Sequence, residues 1–367
     1  MTTQTWSESK AGGRLYVAGE WSEGDGSRRE VLDPSTGAAF GTVVDASPED
    51  VAQAVSAARA TADAGEWAQL PPRERGRVLF RVAELVRTHA EELAHLESHD
   101  TGKPLLFSRS IDVPTVADTY EYYGALTASI EGATRATAFP SHAYTRREPV
   151  GVVAAITPFN FPLILSTSKL APALAAGNTV VHKPAEETPV TALRMAELLA
   201  EAGVPAGVLS VLPGGAETGR ALVGDERVDK VAFTGSTAVG RSIAETAGRN
   251  LQHVTLELGG KAADIVFADA DIEKAVGTAI SAFVFNTGQF CMAGSRLLVE
   301  RPVYDDVLAA VAEGSAHVPV GDPFAEGTVI GPMAGERHLD KVRSYVARAR
   351  EAGVRVLGAG AASDGVG

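Results

Sequence analysis

The chain holds one cysteine in 367 residues, and the residues around it are the first candidates for chemistry. Cys291 lies in Phe285-Asn286-Thr287-Gly288-Gln289-Phe290-Cys291-Met292-Ala293-Gly294-Ser295. Taken alone, a single cysteine is commonly a small buried hydrophobe. Here, however, an apolar helical run from Ala279 to Phe285 stops at Asn286-Thr287-Gly288, so the sulfur follows a helix end. Gly288 and Gly294 on either side let backbone and ligand come close to it. A thiol in such a setting is chemically useful as the thiolate, a nucleophile.

Four other stretches carry residue types that could serve a site. Ile156-Thr157-Pro158-Phe159-Asn160-Phe161-Pro162-Leu163 sets an amide between two aromatics and two prolines at a strand end. Asn160 in that rigid apolar turn suits a donor to a developing oxyanion, or equally a turn residue that satisfies its own backbone. Glu257 follows an apolar strand and precedes Gly259-Gly260. If partly desolvated it could act as a general base on water; otherwise it is a strand-end carboxylate paired with Lys261. Phe233-Thr234-Gly235-Ser236-Thr237-Ala238-Val239-Gly240 puts a glycine turn between strand and helix, where free N–H groups and the helix dipole favour a pyrophosphate. Its spacing is neither Gly-x-Gly-x-x-Gly nor a P-loop, and a tight βα turn explains it as well. In Val180-Val181-His182-Lys183-Pro184-Ala185-Glu186, Lys183 and Glu186 could hold ribose hydroxyls, the acid also repelling a 2′-phosphate. Read alone, that pair is more simply a solvated one at a helix start. Gly358-Ala359-Gly360 imitates part of a dinucleotide fingerprint, but no helix or acid follows it.

These residues need a frame. The length favours two or three domains, and 45% hydrophobic with 22% charged residues is ordinary for a globular protein. A formal net charge of −13 without any Lys/Arg run argues against nucleic acid. The first ten residues are polar and unlike a secretory signal. No apolar run approaches the roughly 18 residues of a membrane span, and a single cysteine fits a reducing compartment. The expectation is a cytoplasmic protein with no membrane partner.

Residues 14–44 read as strand-rich, and Ser47-Pro48-Glu49-Asp50 as a capping box opening a helix to about Ala62. A longer helical stretch from Pro71-Pro72 carries Val78, Leu79, Val82, Leu85 and Val86 on one face and breaks at Asp100-Thr101-Gly102-Lys103-Pro104. A helix over Val116 to Ile130 and an exposed strand over Tyr144 to Glu148 follow. Beyond them, strands at Gly151–Ile156, Thr179–His182, Val208–Leu212 and Lys230–Phe233 alternate with helices at Leu165–Ala175, Val190–Ala202, Glu217–Val223 and from Ser236. That alternation implies βαβ units and a doubly wound parallel sheet, an α/β fold of nucleotide-binding type. A second α/β pattern begins after Glu257, with strands at Asp264–Phe267, Arg296–Glu300 and Val354–Leu357 and helices at Ile272–Phe285, Tyr304–Glu313 and Arg337–Glu351.

Thr157-Pro158-Phe159-Asn160-Phe161-Pro162, Lys183-Pro184-Ala185-Glu186, Gly235-Ser236-Thr237-Ala238-Val239-Gly240, Glu257-Leu258-Gly259-Gly260-Lys261 and the cysteine stretch, taken in this order, resemble the NAD(P)-dependent aldehyde dehydrogenase superfamily. The resemblance implies oxidation of an aldehyde to an acid. Cys291 would form a hemithioacetal and then a thioester, Asn160 and the Cys291 N–H would hold the oxyanion, and Glu257 would activate water. It also implies that Ile156, Thr157, Pro158, Phe159, Lys183, Glu186, Gly215, Gly219, Gly235, Ser236, Thr237, Gly240 and Leu258 bind the dinucleotide, with Glu186 favouring NAD over NADP. No metal is expected. The implied domains are nucleotide-binding over 1–130 and 150–257, an oligomerisation strand segment over 131–149, and an incomplete catalytic domain over 258–367. Phe159 stands where the family usually has Trp. The family's later Glu-x-Phe-Gly-Pro motif and last oligomerisation strand do not occur, which leaves the family's homo-oligomer in doubt for this chain and keeps a silent dinucleotide-binding remnant as the alternative.

Overall fold

The structure is a computed structural model that describes residues 12–357. The polar opening residues and Gly358–Gly367 lie outside the described residues. The architecture follows from two short, fully buried strands. Strand β7 (Val152–Ile156) and strand β8 (Thr179–Lys183) are buried at every position. Because side chains alternate across a strand, Val153 and Ala155 enter one core cluster while Val152, Ala154 and Ile156 enter another. Both faces must therefore be covered, as in parallel sheets sandwiched by helices.

Around this pair, β9 (Leu209–Val211), β10 (Lys230–Gly235) and β11 (His253–Leu258) complete a parallel array, and β1 (Leu15–Val17) and β2 (Glu20–Ser22) close one edge antiparallel. The order is β11-β10-β7-β8-β9-β1-β2, with β3 (Arg28–Leu32) and β4 (Ala39–Val44) pairing antiparallel in a separate ribbon. Helices α1 (Pro48–Ala64), α7 (Ala216–Gly224) and α8 (Thr237–Arg249) cover one face. Helices α2 (Pro72–Thr88), α3 (Ala90–Thr101), α4 (Val113–Leu126), α5 (Pro162–Ala175) and α6 (Val190–Glu201) cover the other. From β7 the chain winds outward through β8 and β9, then returns to lay β10 on β7's other side. That reversal opens a crevice beyond the carboxyl ends of β7 and β10. The doubly wound α/β expectation holds.

The capping box at Ser47 forms as expected: the Asp50 N–H donates to the Ser47 hydroxyl at 3.1 Å and the Ser47 N–H to the Asp50 carboxylate at 2.9 Å. Three local expectations need correction. The stretch from Pro72 to Asp100 is two helices, split at His89, which lets both apolar stripes meet one core. In the Tyr144–Glu148 region only β6 (Ala143–Tyr144) pairs, antiparallel to β5 (Thr134–Arg135), in an exposed hairpin. Val354–Leu357 makes no strand: it is exposed and has no ladder partner among the described residues. The smaller α/β unit is real. Parallel strands β12 (Ala263–Val266) and β13 (Arg296–Val299) pack with α9 (Ile272–Val284) and α10 (Tyr304–Ala316) over a core of Val266, Val276 and Val307. Helix α11 (Glu336–Glu351) follows. No helix among the described residues is long and apolar enough to cross a membrane.

Candidate active site

The residues singled out from sequence gather at the carboxyl edge of the sheet. At the end of β7, Thr157 holds its hydroxyl against His182 Nε2 at 3.0 Å. Burial pushes the His182 imidazole down to about 3, so it stays neutral. The Phe159 ring stacks on His338 with centroids 3.7 Å apart. Asn160, next in the chain, donates from Nδ2 to the Gln289 carbonyl at 2.8 Å, and Asn286 Nδ2 donates back to the Asn160 carbonyl at 2.8 Å. Two reciprocal bonds thus tie the Asn160 turn to the cysteine loop across more than 120 residues of chain. The Asn160 Oδ1 is buried without a protein partner.

The cysteine loop is bent sharply. Asn286, Thr287 and Gly288 all take left-handed backbone, with φ of 50°, 58° and 73°. Asparagine and glycine tolerate this; a β-branched threonine does so rarely. Such strain concentrates where surrounding contacts over-determine the backbone, as at functional sites. Here the restraints are explicit: the Thr287 hydroxyl donates to the Gly331 carbonyl at 3.1 Å, and the Ala334 N–H to Gln289 Oε1 at 3.1 Å. The turn delivers Cys291 to the surface, where it is exposed rather than buried as a core thiol would be.

Glu257 lies near the end of edge strand β11, opposite Thr234. It is exposed, so the desolvation considered from the sequence does not occur. The Gly259-Gly260 pair after it runs up to the cysteine loop: a Cβ on Gly260 would stand 3.7 Å from the Cys291 carbonyl. Sequence reading passed over Lys169. This lysine, the one charged residue of helix α5, donates to the Thr234 hydroxyl at 2.5 Å and feels the Glu257 charge. Burial lowers it to about 8, the carboxylate pulling the other way. Its solitude in an apolar helix was the available signal. His338 carried none.

The expected dinucleotide residues form two groups. Ser236 caps α8, its hydroxyl accepting the Val239 N–H at 3.3 Å, with Gly235 before it and Thr237 as the first helical residue. A Cβ on Gly240 would fall 2.6 Å from the Leu258 side chain, so only glycine lets β11 approach α8 this closely. In the second group Lys183 is buried, unlike the solvated pair considered from sequence. Its ammonium donates to the carbonyls of Pro184 and Gly214, each at 2.6 Å, and burial lowers it to about 8. A Cβ on Gly215 would meet the Glu186 carboxylate at 3.2 Å, and one on Gly219 the Lys183 stem at 3.7 Å. A helix start with free N–H groups, glycine clearance and a nearby carboxylate fit a dinucleotide laid across the crevice. Among the described residues no group of three or more His, Cys, Asp or Glu side chains could hold a metal ion.

Residues 21–367 match the model of the aldehyde dehydrogenase family. The chain belongs to that family. Among its family relatives, the phenylacetaldehyde dehydrogenase of Pseudomonas fluorescens is 44% identical over 352 residues, which cover 94% of this chain and 70% of that protein. An NAD+ complex of the Bacillus cereus aldehyde dehydrogenase superposes with a TM-score of 0.90 at 39% identity, covering 93% of this chain and 70% of the other. An indole-3-acetaldehyde dehydrogenase in complex with NAD+ does so with a TM-score of 0.92 at 40% identity, covering 97% and 74%.

Proposed function

We propose that this protein oxidises an aldehyde to the corresponding carboxylic acid with NAD, using Cys291 as nucleophile. The observation that carries the reading is the pair of hydrogen bonds between the Asn160 turn and the cysteine loop. They support it by tying the turn that carries a candidate amide donor to the loop that carries an exposed thiol.

In this reading the Cys291 thiolate attacks the aldehyde carbon. One Asn160 amide hydrogen is committed to Gln289; the other, with the Cys291 N–H, meets the oxygen as it gains charge. Bound NAD supplies the hydride acceptor. The acyl group left on Cys291 is a thioester, and Glu257, a carboxylate open to water rather than desolvated, takes a proton from the water that releases the acid. Lys169, which bonds Thr234 opposite Glu257, lines the same strand ends. Ile156 to Phe159, Leu258 and the Gly235–Gly240 turn hold the dinucleotide, with Ser236 at the pyrophosphate. Lys183, Glu186, Gly215 and Gly219 form the ribose end, and the Glu186 carboxylate disfavours the 2′-phosphate of NADP.

The rings of Phe161, Phe285 and Phe290 pack together with centroids 5.3–5.8 Å apart beneath the cysteine loop. The two relatives named for arylacetaldehydes support a substrate with a flat apolar tail. The division into nucleotide-binding (1–130, 150–257), hairpin (131–149) and catalytic (258–367) parts belongs to the same reading, as does self-association through the exposed β5–β6 hairpin. A reducing, cytoplasmic setting suits an exposed catalytic thiol. The test is NADH formation from phenylacetaldehyde and NAD, before and after alkylation of the single cysteine. Turnover that survives complete alkylation would refute the nucleophile.

A further inference from the structure

Three side chains with no exposed surface lie behind the Asn160 turn: Glu97, Lys103 and Asp112. Lys103 Nζ donates to Glu97 Oε1 at 3.4 Å and to the Asp112 carboxylate. Asp112 reaches it because Ser108–Asp112 winds as a π-helical turn, a form that tends to mark functional segments. Burying an ammonium with two carboxylates is a costly way to stabilise a core, since apolar residues of like volume often do as well or better. The cluster is therefore better explained by what it touches.

What it touches is the oxyanion turn. Lys103 Nζ stands 4.2 Å from the centroid of Phe161, the residue directly after Asn160. A cation over an aromatic face holds the ring in place, more strongly when desolvated. Glu97 also receives the Leu163 backbone N–H, one of the free donors at the start of α5, which has no side-chain cap of its own. The Thr191 hydroxyl donates to the second Glu97 oxygen at 3.2 Å, fixing the carboxylate from the opposite helix. Burial raises both Glu97, to about 7, and Asp112, with Lys103 opposing. Phe161 in turn packs edge-on against Phe290, the residue before Cys291, at 5.6 Å between centroids. One ring therefore links Lys103 to the turn that carries the amide donor, and rests on the loop residue before Cys291.

We propose that Lys103, fixed by Glu97 and Asp112, is a positioning residue for the reaction: it clamps Phe161 and the first turn of α5 so that the Asn160 amide is aimed before substrate arrives. The proposal rests on the assignment of Asn160 as oxyanion donor. A ring and turn freed by about 1 Å misplace that donor, a displacement that can cost ~100-fold in rate.

The test is a double-mutant cycle on the whole chain with NAD and aldehyde, read as kcat and KM. Lys103→Met should lower kcat by about 10- to 100-fold with little change in the KM for NAD. In an Asn160→Ala background the same change should cost less than ~3-fold, because the side chain it aims is gone. Glu97→Gln, which keeps the shape and the Leu163 bond, provides the same cycle if Lys103→Met does not fold. Lys103→Arg should recover part of the rate. Equal losses in both backgrounds, with Asn160→Ala itself impaired, overturn the positioning role alone. Full activity of Asn160→Ala overturns the oxyanion assignment and the positioning role together.

Discussion

Replacing Asn160 with alanine separates the two things this side chain can do. Structurally it makes one hydrogen bond, from Nδ2 to the Gln289 carbonyl at 2.8 Å. That carbonyl keeps a second, longer donor, Asn286 Nδ2 at 3.4 Å, so the loss should cost about 1 kcal/mol of stability. For a chain of this size that moves the melting midpoint by only about 1–2 °C. Catalytically, removal of one oxyanion donor costs roughly 3–4 kcal/mol, or about 10²–10³ in kcat. The rate loss should thus far exceed anything the folding change explains. Asn160→Asp should be at least as slow, because a carboxylate has no donor and faces two acceptors, the Gln289 carbonyl and the oxyanion. Steady-state NADH formation on variants whose melting curves have been recorded gives both quantities. Wild-type kcat with the damage confined to the melting midpoint would show that Asn160 is only a brace between loops.

Three further outcomes follow from the geometry. Lys169 in the folded state titrates near 8 because burial lowers it, whereas an unfolded lysine titrates near 10.4. The unfolded chain binds more protons between those values, so the stability of wild type relative to Lys169→Met should rise with pH from about 8 to about 10.5. Denaturant midpoints across that range check it, and a flat or falling difference contradicts it. Gly240→Ala gains about 1 kcal/mol of helix propensity but overpacks Leu258 by about 1–3 kcal/mol, so it should be neutral to mildly destabilising while raising the KM for NAD. A clear stabilisation with unchanged KM would refute the close approach of β11 to α8. Glu186→Ser should narrow the preference for NAD over NADP, and an unaltered ratio of kcat/KM would remove Glu186 from the ribose site.

Much of this was legible in the sequence because it is local. The run at Val152–Ile156 is apolar on both faces, and Thr179–Lys183 turns Val180 and Val181 to opposite faces, so only a sheet covered on both sides buries them. Ser47 and Asp50 announce their helix through a bond between neighbours. What stayed hidden depends on distant partners. Lys183 reads as a surface charge until the Gly214 carbonyl is brought to its ammonium. Helices α5 and α6 lack side-chain caps of their own; their free N–H groups are met by Glu97 and Asp100 from α3, about 65 and 90 residues earlier. Lys169 gains meaning only when α5 is laid beside Thr234. The left-handed Thr287 runs against its own propensity and is held by Gly331, far along the chain. Val354–Leu357 shows the opposite failure: its residues suit a strand, but a strand needs a neighbour to form.

The most direct test of the account is to trap the acyl group. In Glu257→Gln, mixed with NAD and phenylacetaldehyde and quenched in acid within the first turnover, peptide mass mapping should find one acyl group per chain on the peptide holding Cys291, formed together with a burst of NADH. NADH formed at that rate with Cys291 unmodified, or with the acyl group on another residue, would contradict it.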